Sequence, residues 1–282
     1  MPWLPKVIWV EGPASQPERV ALLLHGILGS ARNLRSVAVQ LQRARPTWRI
    51  AVADLRNHGD SLGAPPPHDL DACVRDVLGL FAEWQVPARV VIGHSYGGKV
   101  AMQLAKTPPL GLRQLWVLDT LPHLTLDEEL AGAGDADALA LVLDEVRNIP
   151  QPLHSRTQLL ELFAQAGVDT GVAQWMTTNL SEREGGLYWR FDLAAVDPML
   201  ASYFATDSWP VLERPPPGLR IDLVRGGRSS RWTPGVLQRL AQIQSRDVRV
   251  HTIADAGHWL HVDQPQALQQ LLVPSLARLE TA

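Results

Sequence analysis

The chain has 282 residues, enough for one large α/β domain or two small ones, and 46% of them are hydrophobic, which suffices for a sizeable core. A formal net charge of −3 provides no attraction for nucleic acid or for an anionic membrane surface. The single cysteine, Cys73, excludes an internal disulfide and argues against a cysteine metal site.

Met1 to Lys6 has no basic stretch followed by an apolar run, so no secretory signal is read there. The longest apolar runs are far short of a membrane span. The expectation is a soluble, cytoplasmic protein, a monomer or homodimer, with neither nucleic acid nor membrane as partner. Ten tryptophans stand beside four phenylalanines and three tyrosines. Most are expected to pack core, and some to line an apolar pocket.

In chain order, Lys6–Val10 reads as a strand and Gly12–Glu18 as a turn. Arg19–Leu24 is a continuous apolar run, as expected of a strand buried on both faces. It leads into His25-Gly26-Ile27-Leu28-Gly29-Ser30, a candidate oxyanion loop. Gly26 permits close backbone approach, and the N–H of Ile27 is the expected donor. His25 is expected to brace the loop. Ser30 is a candidate cap for a helix from Asn33 to Ala44. Trp48–Ala53 is the next strand and ends in Asp54–Ser61, whose Asp, Asn and Ser residues favour a self-bonded structural loop. Asp69–Trp84 has helical apolar spacing, and Cys73 falls inside it as a buried core residue.

A β-branched run, Arg89–Ile92, then turns into Gly93-His94-Ser95-Tyr96-Gly97-Gly98 and an apolar helix. A strand turning straight into a helix needs flanking positions without bulk, and it leaves the serine on a strained, exposed tip. The N–H of Tyr96 lies at the helix start, where an oxyanion is stabilised. Ser95 is therefore the candidate nucleophile. Gln114–Leu118 is a further strand and ends at Asp119, where ligands bind in open α/β sheets. Helical patterns follow over Asp127–Leu130, Ala136–Arg147, Ser155–Ala166, Val172–Leu180 and Leu193–Phe204, with no strand expected among them. They define a helical cap over 121–217, inserted in a core of 1–120 and 218–282. Leu219–Val224 and Arg246–Ile253 are the last strands. His258 stands in the loop after them, and a helix over Pro265–Leu279 closes the chain.

Alternation of strands and helices gives a mostly parallel sheet with helices on both faces. Ser95, then an acid, then His258 is the hydrolase order, with His258 as general base. The loops His25–Gly29, Gly93–Gly98 and Gly257-His258 resemble the α/β-hydrolase superfamily over nearly the full length. Together with Asp54–Ser61 they resemble the branch of YbfF-type esterases and abhydrolase-domain-11 proteins. The resemblance implies an aspartate in a G-x-x-D loop after the penultimate strand, but Gly226-Gly227-Arg228-Ser229 carries serine there. Asp119 is the candidate acid instead, with Asp192 and Asp222 behind it and Asp255 further off.

The implied activity is hydrolysis of carboxylic esters or thioesters of small to medium acyl groups through an acyl-enzyme on Ser95, without cofactor or metal. Other chemistry on the same fold stays open: carbon–carbon hydrolysis, lactonase or perhydrolase activity, or a low-turnover ligand-binding module. Pocket candidates are His25, Leu28, Trp175, Trp189 and Trp259.

Overall fold

The computed structural model describes residues 3–11, 19–84, 88–123 and 134–280. The turn expected at Gly12–Glu18 and the helix expected at Asp127–Leu130 lie outside them. Seven strands form one sheet in the order β1-β3-β2-β4-β5-β8-β9. They are β1 (Val7–Val10), β2 (Arg19–Leu24), β3 (Trp48–Ala53), β4 (Ala88–His94), β5 (Gln114–Leu118), β8 (Arg220–Gly226) and β9 (Val248–Ile253). Only β1 runs antiparallel to its neighbour.

The unbroken apolar run of β2 has its reason in the layers. Val20, Leu22 and Leu24 face a core shared with α2 (Leu70–Glu83) and α3 (Tyr96–Leu104). Ala21 and Leu23 face a second core shared with α1 (Ala31–Ala44) and the C-terminal helix Pro265–Glu280. Side chains alternate across the sheet and both faces are covered, so every position must be apolar. Asp69 caps α2 by accepting from the Ala72 N–H at 2.7 Å. Cys73 is buried in α2, and burial pushes its thiol up to about 12, which makes it inert at neutral pH.

Among the described residues between β5 and β8 lie five helices, α4 (Gly134–Asn148), α5 (Arg156–Gln165), α6 (Thr170–Thr177), α7 (Leu193–Ala205) and α8 (Trp209–Glu213). Contrary to the all-helical expectation, this segment also holds an antiparallel hairpin, β6 (Leu180–Arg183) with β7 (Gly186–Trp189). The helix expected over Val172–Leu180 stops at Thr177. Gly185 at φ 90° and Gly186 at φ 142° make the turn, and a Cβ on Gly186 would lie 2.6 Å from the Leu153 carbonyl oxygen.

The Asp54–Ser61 loop anchors this segment to the sheet. The Gly59 N–H donates to the Arg190 carbonyl and the Asp192 N–H to the Asn57 carbonyl, and Arg190 pairs with Asp60 at 2.8 Å. Asp54 accepts from the N–H groups of Ala31 and Asp60, so the loop also holds the start of α1. After β8 come α9 (Pro234–Ala241), and after β9 the short α10 (Leu260–Asp263) and α11 (Pro265–Glu280).

Candidate active site

Ser95 stands between β4 and α3 at φ 52° and ψ −115°, a strained conformation for a residue with a side chain. The glycines around it are sterically required. A Cβ on Gly93 would lie 2.2 Å from the Gly97 carbonyl oxygen, and one on Gly97 would lie 2.5 Å from that of Leu24. The turn is tied to its neighbours by backbone bonds. The Ser95 N–H donates to the Leu118 carbonyl and the Gly97 N–H to the His25 carbonyl. The second bond joins the two loops that carry the N–H groups of Ile27 and Tyr96. Tyr96 opens α3, where no carbonyl of the helix can receive its N–H.

The Ile27 loop is shaped by two buried histidines. His25 Nδ1–H donates to the Gly26 carbonyl at 2.7 Å, and its Nε2 accepts from the Leu55 N–H at 2.9 Å. His58 Nδ1–H donates to the Arg56 carbonyl, and its Nε2 accepts from the Leu28 N–H at 3.1 Å. Burial holds His25 down at about 4, and burial with its His25 neighbour holds His58 at about 3, so both stay neutral and keep these bonds.

Asp119 ends β5 at φ 43° and is fully buried. Its Oδ1 accepts from the Gly226 N–H at 3.0 Å and from Trp232 Nε1–H at 2.7 Å. Its Oδ2 accepts from the Ser229 hydroxyl at 2.8 Å and from His258 Nδ1–H at 2.8 Å. Burial alone would raise its pKa. The His258 bond and charge, the Gly226 N–H and the Arg231 charge outweigh burial and hold it below the ordinary aspartate value. A carboxylate only accepts, so His258 carries its proton on Nδ1 and presents Nε2 as an acceptor.

Ser229, which stands where the G-x-x-D pattern has aspartate, thus donates to Asp119 and brings no carboxylate of its own. The other aspartates are engaged elsewhere. Asp192 caps α7, accepting from the Ala194 N–H, and Asp222 is bonded to Gln114, Arg220 and His251. Asp255 is an exposed loop residue.

Ser95 and His258 open on one cavity of about 320 Å³, at the small end of ligand pockets. Its wall includes Ile27, Leu34, Leu139, Val142, Val172, Trp175 and Trp259, with His25 at the loop end. The rings of Trp175 and Trp259 are 5.8 Å apart. Two pocket candidates are not in this wall. Leu28 is fully buried in the core, and Trp189 stacks on Phe191 with ring centroids 5.2 Å apart.

His94, next to Ser95 in the chain, is a further residue of the site. It lines the cavity, donates Nε2–H to the His258 carbonyl at 2.9 Å, and packs between the rings of His258 and His261. Burial first, then its histidine neighbours, lower its pKa well below the usual value. Trp232 and Arg231 are site residues that sequence reading missed. The signal was their place two and three residues past Ser229, in the loop that must reach the histidine.

Comparison with known proteins agrees with this architecture. The sequence profile of the Alpha/beta hydrolase family matches residues 21–270. The mouse (Mus musculus) sn-1-specific diacylglycerol lipase ABHD11 is 30% identical over 95% of this chain and 83% of its own. The esterase YbfF of Escherichia coli (strain K12) is 26% identical over 88% of this chain and 89% of its own. This is the branch that the loop motifs resemble. A marine microorganism esterase of known structure superposes with a TM-score of 0.78 at 20% identity, covering 96% of this chain and 99% of that one. With the family profile covering residues 21–270, the strained serine turn and the histidine loop among them, the chain belongs to the alpha/beta hydrolase family.

Proposed function

We propose that the protein is a serine hydrolase that cleaves carboxylic esters, and thioesters of like shape, carrying small to medium apolar acyl groups. Ser95 Oγ attacks the acyl carbonyl while His258 Nε2 takes its proton. The N–H groups of Ile27 and Tyr96 receive the oxyanion. The tetrahedral intermediate collapses, the acyl C–O or C–S bond breaks, and the proton on Nε2 passes to the leaving oxygen or sulfur. Water, deprotonated by the same nitrogen, then releases the acid and restores Ser95. Asp119 holds the Nδ1–H tautomer and offsets the charge of the imidazolium.

The observation that carries this reading is the pair of buried Asp119 and half-buried His258 at 2.8 Å, with His258 and Ser95 in one cavity. The apolar wall supports an apolar acyl group, and the likeness to an esterase and a diacylglycerol lipase supports an ester bond. Residues 121–217 act as a cap, since Leu139, Val142, Val172 and Trp175 from it complete the cavity wall.

The test is hydrolysis of p-nitrophenyl esters of increasing acyl length by wild type and Ser95→Ala, with fluorophosphonate labelling of both. Wild type turns over short and medium esters and labels, and Ser95→Ala does neither. Wild type that neither hydrolyses nor labels refutes the reading.

A further inference from the structure

His94 precedes the nucleophile and carries a nitrogen that the acyl-enzyme chemistry does not use. The residue is 4% exposed and lines the cavity. Its Nε2 lies 2.9 Å from the His258 carbonyl oxygen, which only accepts, so the proton is on Nε2 and Nδ1 keeps its lone pair. Burial, with His258 and His261 beside the ring, pulls the pKa far below the usual value, so the ring stays neutral and the tautomer is fixed. No described residue donates to Nδ1.

The Nε2 end of the ring is held against the histidine loop, and the Nδ1 edge faces Gly26 and Ser95. A Cβ on Gly26 would lie 3.2 Å from His94 Nδ1 and 3.2 Å from the Ser95 Cβ. Gly26 and Ser95 both line the cavity. The lone pair thus stands beside the nucleophile and beside the loop that carries the Ile27 N–H. The nearby wall residues Ile27, Leu34, Val142 and Val172 have no side-chain donor to offer it.

A lone pair in a cavity is served by solvent until a ligand expels that solvent. A ligand that places only methylene groups there leaves a buried acceptor unpaired, at the full cost of its desolvation, whereas one that brings an O–H restores the bond. Such a site rejects the analogue without the donor more strongly than an apolar wall rejects the loss of a methylene. Carbonyls, ethers and carboxylates only accept, so they gain nothing from Nδ1. The Gly26 backbone crowds the nitrogen, which favours the smallest neutral donor, a hydroxyl.

We infer that His94 Nδ1 is a specificity-determining contact that selects esters bearing a free hydroxyl close to the reacting carbonyl carbon. This rests on the acyl-enzyme reading above and adds one polar requirement to its apolar substrate. The hydroxyl belongs to either side of the ester bond, and the test separates the two.

Release of acid is followed by titration, with each kcat/KM divided by the rate of alkaline hydrolysis of the same ester. On the acyl side, ethyl 2-hydroxyhexanoate and ethyl 3-hydroxyhexanoate are compared with their methoxy analogues and with ethyl hexanoate. On the leaving side, 2-hydroxyethyl hexanoate is compared with 2-methoxyethyl hexanoate and propyl hexanoate. Wild type is expected to favour a hydroxyl ester on one side over both comparators by about tenfold, the order of one buried acceptor satisfied. In His94→Phe and His94→Leu that ratio is expected to fall to about one, whatever the absolute rate does on loss of the bond to the His258 carbonyl. A second readout needs no change at His94. In Ser95→Ala, the nitrogen NMR resonance of His94 Nδ1 is expected to lie further upfield with the favoured hydroxyl ester bound than with its methoxy analogue. Wild type without preference on either side overturns the inference, as does an unchanged ratio in a His94 variant or the same Nδ1 resonance with both esters. Equal Ser95-dependent hydrolysis of all the esters refutes only this inference. No hydrolysis and no labelling of Ser95 refutes the acyl-enzyme reading with it.

Discussion

Asp119→Asn keeps the shape of the side chain and removes its charge. In the wild type Asp119 is fully buried, and its Oδ2 is 2.8 Å from His258 Nδ1. The carboxylate and the imidazolium formed during reaction have charge centres ~4 Å apart, an attraction of about 4 kcal/mol at an effective dielectric of about 20. At about 1.4 kcal/mol per decade of rate, kcat falls roughly a thousandfold. The hydrogen bonds act in the same direction. The carboxylate accepts two donors on each oxygen, whereas an amide accepts on one oxygen only. If its NH2 faces His258, the imidazole must carry its proton on Nε2, and the base loses the lone pair it needs. The assay is steady-state hydrolysis of p-nitrophenyl hexanoate, with thermal melting to check the fold. A variant that melts near wild type and keeps kcat within about tenfold of it refutes the assignment of Asp119.

Trp232→Phe removes the 2.7 Å donor on Asp119 Oδ1 and is expected to lower kcat about tenfold, the worth of one bond to a charged group; an unchanged kcat in the same ester assay contradicts this. Gly93→Ala places a Cβ 2.2 Å from the Gly97 carbonyl oxygen, so fluorophosphonate labelling of Ser95 is expected to be lost, and full labelling would contradict the steric account of the turn. Burial lowers the pKa values of His25 and His261 to about 4 and that of His58 to about 3, from an ordinary value of 6.5. Between those values the unfolded chain binds the protons and the native state does not, so stability is present above pH 6.5 and is lost as pH falls through this window. The raised pKa values of Asp54 and Asp76 act in the opposite sense, but they are two groups against four histidines, since His94 is lowered as well, and the melting temperature is expected to fall on acidification below pH 6.5. A flat melting profile there contradicts the neutral-histidine assignment. His58→Leu strips partners from the Leu28 N–H and the Arg56 carbonyl and is expected to cost about 2–4 kcal/mol in urea unfolding, with no loss contradicting the bracing role.

The sequence by itself determined the sheet and the serine turn, because both are written in local rules. A strand covered on both faces must be apolar where it is buried, as Val20–Leu24 is, and a strand-to-helix turn admits only glycine where carbonyls crowd the backbone, as at Gly93 and Gly97. The place of Asp119 and His258 followed from where strands end. The hairpin Leu180–Trp189 was legible in Gly185-Gly186 but was hidden by helical patterns on either side. Only the tertiary structure decided which aspartate meets His258. Asp119 follows β5 and meets His258, whereas Asp222 lies inside β8 and bonds Gln114, Arg220 and His251, contacts that join residues far apart in the chain. Likewise Ser229, Arg231 and Trp232 gather around Asp119 and His258 from more than a hundred residues downstream of Asp119, an arrangement fixed by long-range packing that no local pattern records.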